Sequence, residues 1–148
     1  MLYLLAIVAR SQAKQHVTLR LPSSIKHALG RQASKEGLSQ TGLAERYLEE
    51  AIRVADHPGI VFRSGPAGRR AAVLGGPDVW EVVETFEAED RKVDSAARYL
   101  NLPVGLVRAA VDYYADNRDE IDEWIRRNQL LAEEAEATAA RRRRATRG

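Results

Sequence analysis

Polar side chains alternate with apolar ones along residues 16–22, a pattern that could read the edges of DNA bases. The polar side chains, all able to form hydrogen bonds, are His16, Thr18 and Arg20. The apolar ones between them are Val17, Leu19 and Leu21. A period of two predicts a β-strand with one polar and one apolar face. Because a lone strand leaves its backbone groups unpaired, we expect it to pair, antiparallel, with the same strand of a second copy. Such a two-stranded ribbon fits the DNA major groove.

Two short amphipathic helices are expected to position this strand. Pro22 ends the strand, Ser23 is a suitable N-cap, and a narrow apolar stripe then runs to Gly37. That stripe comprises Ile25, Leu29 and Ala33. After Leu38, Ser39 is a second suitable N-cap. The second stripe comprises Leu43, Tyr47, Leu48 and Ile52.

Strand, helix, Gly-containing turn and helix in this order resemble the ribbon-helix-helix family of transcriptional repressors. The motifs that carry the resemblance are Leu-Arg-Leu-Pro at 19–22 and Gly-Leu-Ser at 37–39. The resemblance implies an intertwined homodimer that binds operator DNA, with bases read by the strand. It also implies phosphate anchoring by the amides that open the second helix, at Ser39, Gln40 and Thr41. Gly42 departs from the acidic residue that a capping box would place there. A plain helical hairpin with an irregular leader is the alternative interpretation.

Composition and length limit the classes of protein that are possible. The chain has 148 residues, no Cys, 45% hydrophobic and 30% charged residues, which is typical of a globular protein without disulfides or thiolate metal sites. Residues 1–15 form an apolar leader that is too short to span a bilayer, and its basic residues follow the apolar run instead of preceding it. An extra strand, a leader that docks on the dimer and a misassigned start codon are the alternative interpretations of this segment. We therefore expect a cytoplasmic protein with no membrane partner.

Charge divides the chain into segments of opposite sign. Residues 77–126 hold 6 basic and 13 acidic side chains, a net charge of −7, whereas 1–56, 57–76 and 127–148 each carry +3. Since DNA phosphates repel an acidic surface, the sequence predicts DNA binding by the first segment and a different role for the third.

A second module is predicted over residues 57–126. Apolar runs at 60–62 and 71–74 flank a Gly/Pro turn and predict a β-hairpin that carries Arg63, Arg69 and Arg70. These arginines could clamp phosphates, pair with acidic groups of a partner, or serve only as surface charges. Asp78 is expected to cap a helix whose apolar stripe comprises Val79, Val82, Val83 and Phe86.

The rest of this module is predicted to be a helix-turn-helix followed by a last helix. The first helix carries Val93, Ala96, Ala97 and Leu100, the turn is 101–103, and the second helix carries Val104, Val107, Val111 and Tyr114. The last helix opens near Asp119. The outward positions of the second helix offer Gly105, Arg108, Ala109, Asp112 and Asp116. Because few of these side chains suit base reading, we favour a protein-binding role, with a merely solvated acidic surface as the alternative.

Residues 57–125 are similar to a small bacterial family first catalogued as a domain of unknown function. The resemblance rests on HPGIVFRSGPAGRRAAVLGGPDVWEVV at the front and LNLPVGLVRAAVDYYADNRDEIDEWI at the back. Proteins of that family are commonly VapB-type antitoxins, encoded beside PIN-like ribonuclease toxins. The resemblance therefore implies a cognate PIN-like ribonuclease toxin as partner.

Residues 127–148 are expected to continue the last helix and then to end in an arginine-rich tail. A run such as Arg141–Arg144 is usually disordered and binds polyanions, and it could alternatively reach into the acidic cleft of a nuclease. The three histidines, His16, His27 and His57, lack the spacing of metal ligands, and no nucleophile–base set or phosphate-binding glycine loop is recognisable. We therefore expect no enzyme, no catalytic residue, no metal and no cofactor.

The sequence as a whole predicts a mainly α protein with short β elements, a ribbon-helix-helix (16–56) followed by a β-hairpin and helix-turn-helix. The function it favours is that of an antitoxin which neutralises a ribonuclease and represses its own operon. The alternative is a stand-alone transcriptional regulator whose second domain dimerises or senses a ligand. A structural interaction protein without DNA affinity is the third class.

Overall fold

The computed structural model describes residues 14–146 and is mainly helical with one two-stranded antiparallel sheet. The elements in chain order are α1 (Ser23–Glu36), α2 (Gln40–Asp56), β1 (Ile60–Gly65), β2 (Gly68–Val73), α3 (Val79–Ala88), α4 (Val93–Leu100), α5 (Val104–Asp116) and α6 (Arg118–Ala145). This confirms the predicted class. The apolar leader predicted at 1–15 lies almost entirely outside the described residues.

The described residues divide into two compact units between Arg46 and Tyr47, inside α2. The predicted border between modules lay ten residues later, at 56/57. Ion pairs explain why the end of α2 belongs with the second unit: Glu50 pairs with Arg69 of β2, and Arg53 pairs with Glu120 of α6. Hydrophobic periodicity gives no signal for such charged contacts.

In the first unit, residues 14–22 of the single chain have no regular secondary structure, and two helices follow. Gly37 ends α1 in the left-handed conformation, with φ of 66°, as its position predicts. Ser23 was expected to be the N-cap of α1, and this was wrong. Ser23 is the first helical residue, Pro22 occupies the cap position, and no side chain caps α1.

The hairpin and the four helices after it enclose one hydrophobic core. β1 and β2 pair in the register Ile60↔Val73 to Gly65↔Gly68, which confirms the predicted hairpin. The buried core side chains are Ile60, Ala71, Val73, Val79, Val82, Val83, Phe86, Ala96, Ala97, Val107, Ala110, Tyr113 and Ile121. All four residues of the predicted α3 stripe are among them.

Two helices joined by a short turn lie where the helix-turn-helix was predicted, and one core residue differs from the prediction. α4 ends at Asn101 in the left-handed conformation, and α5 begins at Val104, so the turn falls where it was predicted. Tyr113, and not Tyr114, is the tyrosine that α5 buries completely. Its hydroxyl accepts a hydrogen bond from Arg53 (2.9 Å) and donates one to Glu120 (3.1 Å), which satisfies the polar atom inside the core.

The last helix is longer than expected. α6 runs over 28 residues and continues through Arg141–Arg144 to Ala145, so the expected disorder of the arginine run is wrong. Alanine and glutamate before the run are strong helix formers, and arginines near a helix C-terminus interact favourably with its dipole. Among the helices of residues 14–146, none is long and apolar enough to cross a membrane.

Candidate nucleic-acid interface

The apolar face predicted for residues 16–22 is uncovered in the single chain. Every residue from 14 to 22 is exposed, and the side chains of Val17, Leu19 and Leu21 are 74, 58 and 45% exposed. Ile25, which opens the stripe of α1, is 53% exposed, while Ala33 at its end is buried. Exposed apolar groups clustered in this way cost free energy in water, and a partner surface would remove that cost.

Three of the six residues predicted to contact DNA line one concavity of the first unit. Arg20, Gln40 and Thr41 lie around an open depression of about 480 Å³, together with Lys26 of α1. His16, Thr18 and Ser39 do not line it. The sequence analysis missed Lys26, although a lysine in the first turn after the strand could have marked it. The other lining residues are apolar: Val17, Leu19, Leu21, Leu29 and Ala44. The two cations and two uncharged polar side chains suit a phosphate backbone, whereas the apolar part of the depression belongs to the exposed apolar face described above.

The start of α2 is built as the sequence predicts. Ser39 Oγ accepts a hydrogen bond from the backbone N–H of Gly42 at 3.0 Å, which makes Ser39 the N-cap. The amides of Gln40 and Thr41 are among those that an α-helix leaves without an internal acceptor. A Cβ at position 42 would lie 3.1 Å from Ser39 Oγ, a tight contact, so glycine leaves room for the capping hydroxyl.

Each of the three hairpin arginines pairs with a carboxylate inside the second unit. Arg63 Nη2 lies 2.8 Å from Asp78 Oδ1, and Arg70 pairs with the other oxygen of the same carboxylate. Arg69 pairs with Glu50. These contacts give the arginines a role in holding the hairpin against α2 and α3. Contact with phosphates or an external partner stays a prediction for them.

Asp78 is the buried centre of this arrangement; it occupies the N-cap position of α3, as predicted, but its side chain does not cap the helix. Its side chain makes no capping hydrogen bond, and instead it accepts bonds from Arg63, Arg70 and the Trp80 indole N–H (3.2 Å). Burial alone would raise the pKa of Asp78, but the hydrogen bonds from Arg63 and Arg70 outweigh burial and hold that pKa below its ordinary value. The carboxylate is therefore charged and paired.

A second concavity of about 340 Å³ lies beside this cluster. Its lining is Pro66, Ala67, Arg70, Asp78, Trp80, Glu81, Trp124 and Asn128. Burial, reinforced by the charge of Asp78, raises the pKa of Glu81. Arg127 stacks over the Trp124 ring at 4.6 Å from its centroid. Sequence reasoning missed this concavity, because its walls come from four separate elements.

Helix α5, the second helix of the predicted helix-turn-helix, presents a surface that is poor in base-reading groups. Gly105, Arg108, Asp112 and Asp116 are exposed on α5, and Ala109 is partly buried. Arg108 is the single cation among these five, and two carboxylates accompany it. Phosphates would repel this face of α5.

Comparison with known proteins finds no matching family model, no matching curated protein and no matching solved structure. Within residues 14–146, no group of three or more His, Asp or Glu side chains is arranged to hold a metal ion.

Proposed function

We propose that this protein is a dimeric DNA-binding antitoxin that represses its own operon and neutralises a PIN-like ribonuclease. The observation that supports the DNA-binding half most strongly is the grouping of Arg20 and Lys26 with Gln40 and Thr41 around one depression, whose apolar lining includes the Val17, Leu19 and Leu21 that ribbon pairing would cover. It joins the predicted reading segment to the helix start that would anchor phosphates.

Dimerisation follows from the same segment. Val17 and Leu19 are more than half exposed. Within the single chain, residues 14–22 do not pair with a strand. Antiparallel pairing with residues 16–22 of a second copy would satisfy the backbone groups and cover the apolar side chains in one step. The polar side chains of His16, Thr18 and Arg20 would then face the major groove from two copies.

The antitoxin half rests on the resemblance of residues 57–125 to VapB-type antitoxins and on the charge of 77–126. The exposed carboxylates Asp112 and Asp116 make α5 a poor reader of DNA. A protein partner with a basic surface suits this unit better.

The test compares two arginines by gel shift on the DNA upstream of this gene. Arg20→Ala is expected to weaken binding by about 1–3 kcal/mol if the side chain makes a bidentate contact to guanine. Arg108→Ala, the matched control on α5, is expected to leave the affinity unchanged. Weaker binding by Arg108→Ala with normal binding by Arg20→Ala would assign DNA reading to the helix-turn-helix and contradict the proposal.

A further inference from the structure

The second half of α6 is exposed along most of its length, and the last contact that joins it to another helix within residues 14–146 is the hydrogen bond from Gln129 to Glu84. Every residue from 129 to 139 is exposed, including Leu130 (52%) and Leu131 (60%). A helix of this length is marginally stable in water when nothing packs against it. A partner surface would therefore stabilise this part of α6.

Charge along this half is separated into two blocks. The acidic block is Glu133, Glu134 and Glu136, and the basic block is Arg141–Arg144. None of these glutamates has an arginine three or four residues further on, so the ion pairs that support single helices are missing. The helix dipole favours arginines in the last turn, but it does not account for glutamates in the middle of a 28-residue helix.

The charges fall on two flanks of one face that is formed by Leu131, small side chains and Arg142. Leu131, Ala135 and Thr138 follow one another at spacings of four and three, with Ala132 and Ala139 beside them. Glu136 and Arg143 are seven residues apart and share one flank of this face. Glu134 and Arg141 have the same separation and share the other flank.

We propose that the second halves of α6 from two copies of this chain pair antiparallel through this face. The two copies are related by a two-fold axis that passes between Thr138 and Ala139. In this arrangement each flank of one helix lies beside the same flank of the other helix, so the charges on that flank meet. Glu134 then faces Arg141 of the other copy, and Glu136 faces Arg143, which gives four ion pairs in all. The alanines let the two backbones approach closely, and the aliphatic stem of Arg142 covers Ala135 of the other copy.

This interface is separate from the ribbon proposed for residues 16–22. The two therefore need separate assays. Because the chain contains no Cys, a disulfide between two copies can form only at the cysteine that is introduced.

The first test is cysteine cross-linking of the full chain. Ala139→Cys, next to the axis, is expected to form a disulfide dimer readily, whereas two copies of Ala132→Cys would lie about 20 Å apart along the helices at 1.5 Å per residue. A mixture of Ala132→Cys and Thr146→Cys, which lie seven residues before and after position 139 on the same flank, is expected to form the mixed dimer. Ala115→Cys, exposed on α5, is the background control. Cross-linking of Ala139→Cys at the background rate, or equally fast cross-linking of Ala132→Cys alone, would overturn antiparallel pairing.

The second test exchanges charges in the Ala139→Cys chain. Glu134→Arg with Glu136→Arg replaces attraction by repulsion at four contacts and is expected to slow cross-linking by about tenfold. Adding Arg141→Glu and Arg143→Glu restores the complementarity and is expected to restore the rate.

The control for this exchange is Glu133→Arg with Arg144→Glu, which alters charges that face away from the pairing face. It is expected to leave cross-linking unchanged. Equal slowing by this control, or no recovery in the fourfold exchange, would overturn the ion-pair register.

Discussion

At the scale of single residues, Asp78 is the group on which the second unit depends most. It is 4% exposed, and two guanidinium groups and one indole N–H converge on it. Asp78→Asn removes the charge and leaves Arg70, itself largely covered, without its counter-ion. We expect a loss of about 3 kcal/mol in the free energy of unfolding, measured by urea denaturation. Asp112→Asn, an exposed carboxylate of α5, should change it by less than about 0.5 kcal/mol. Equal effects of the two variants would refute the role given to Asp78.

The same carboxylate makes stability depend on pH in a defined direction. Its folded-state pKa lies below the ordinary value of 3.8, so its contribution is fully present above that value and is lost as the pH falls through the folded-state pKa. The difference in unfolding free energy between the native chain and Asp78→Asn should therefore be constant from pH 7 to about 5 and shrink below pH 4. Urea denaturation at several pH values measures it. A difference that grows on acidification would contradict the assigned pKa direction.

The sequence predicted which charged residues matter, but it did not predict which side chains they pair with. Arg63, Arg69 and Arg70 were recognised as a basic group, but their carboxylates, Glu50 and Asp78, were not. Those partners depend on the register of the hairpin and on where α2 and α3 pack, which no local pattern specifies. Asp78 was assigned to helix capping because its position suits a cap. Its side chain instead forms ion pairs with Arg63 and Arg70 of the hairpin.

At the scale of elements, the two helices of the first unit differ in how they begin. Ser39 caps α2 through a hydrogen bond to the Gly42 N–H, whereas Ser23 makes no capping bond at α1. Ser39→Ala should therefore cost about 1 kcal/mol of stability, and Ser23→Ala should cost a few tenths at most. Thermal melting of the full chain followed by circular dichroism compares them. A larger loss for Ser23→Ala would mean that the assignment of caps is reversed.

Helices and hairpin were predictable because their signals are local. Periodic valines located α3, the Gly/Pro turn located the hairpin, and Asn101 located the turn between α4 and α5. Residues 16–22 are different, since the hydrogen-bond partners of the predicted strand would belong to another copy. A single chain can show only their exposure. The helical arginine run was missed because its composition, typical of a disordered chain end, was considered without its helix propensity and the helix dipole.

At the scale of the whole molecule, the two proposed activities should separate along the chain. Residues 47–148 form their own compact unit and hold both tryptophans, Trp80 and Trp124. We expect this fragment to bind the neighbouring ribonuclease with a change in tryptophan fluorescence, to rescue growth on coexpression, and to leave the operator unbound. Rescue of growth by residues 1–46 would place the neutralising surface in the first unit and contradict this prediction.

The central claim is that two copies build the DNA-reading ribbon. Native mass spectrometry with the DNA upstream of the gene tests this most directly, on a full chain that carries Glu134→Arg and Glu136→Arg to weaken the proposed pairing of α6. In that parent chain we expect an even number of chains on the DNA. Adding Leu19→Glu on the apolar face should abolish both the protein dimer and DNA binding, and adding Thr18→Glu on the polar face should retain the dimer without DNA. One chain per duplex, or DNA binding that survives Leu19→Glu, would contradict the account.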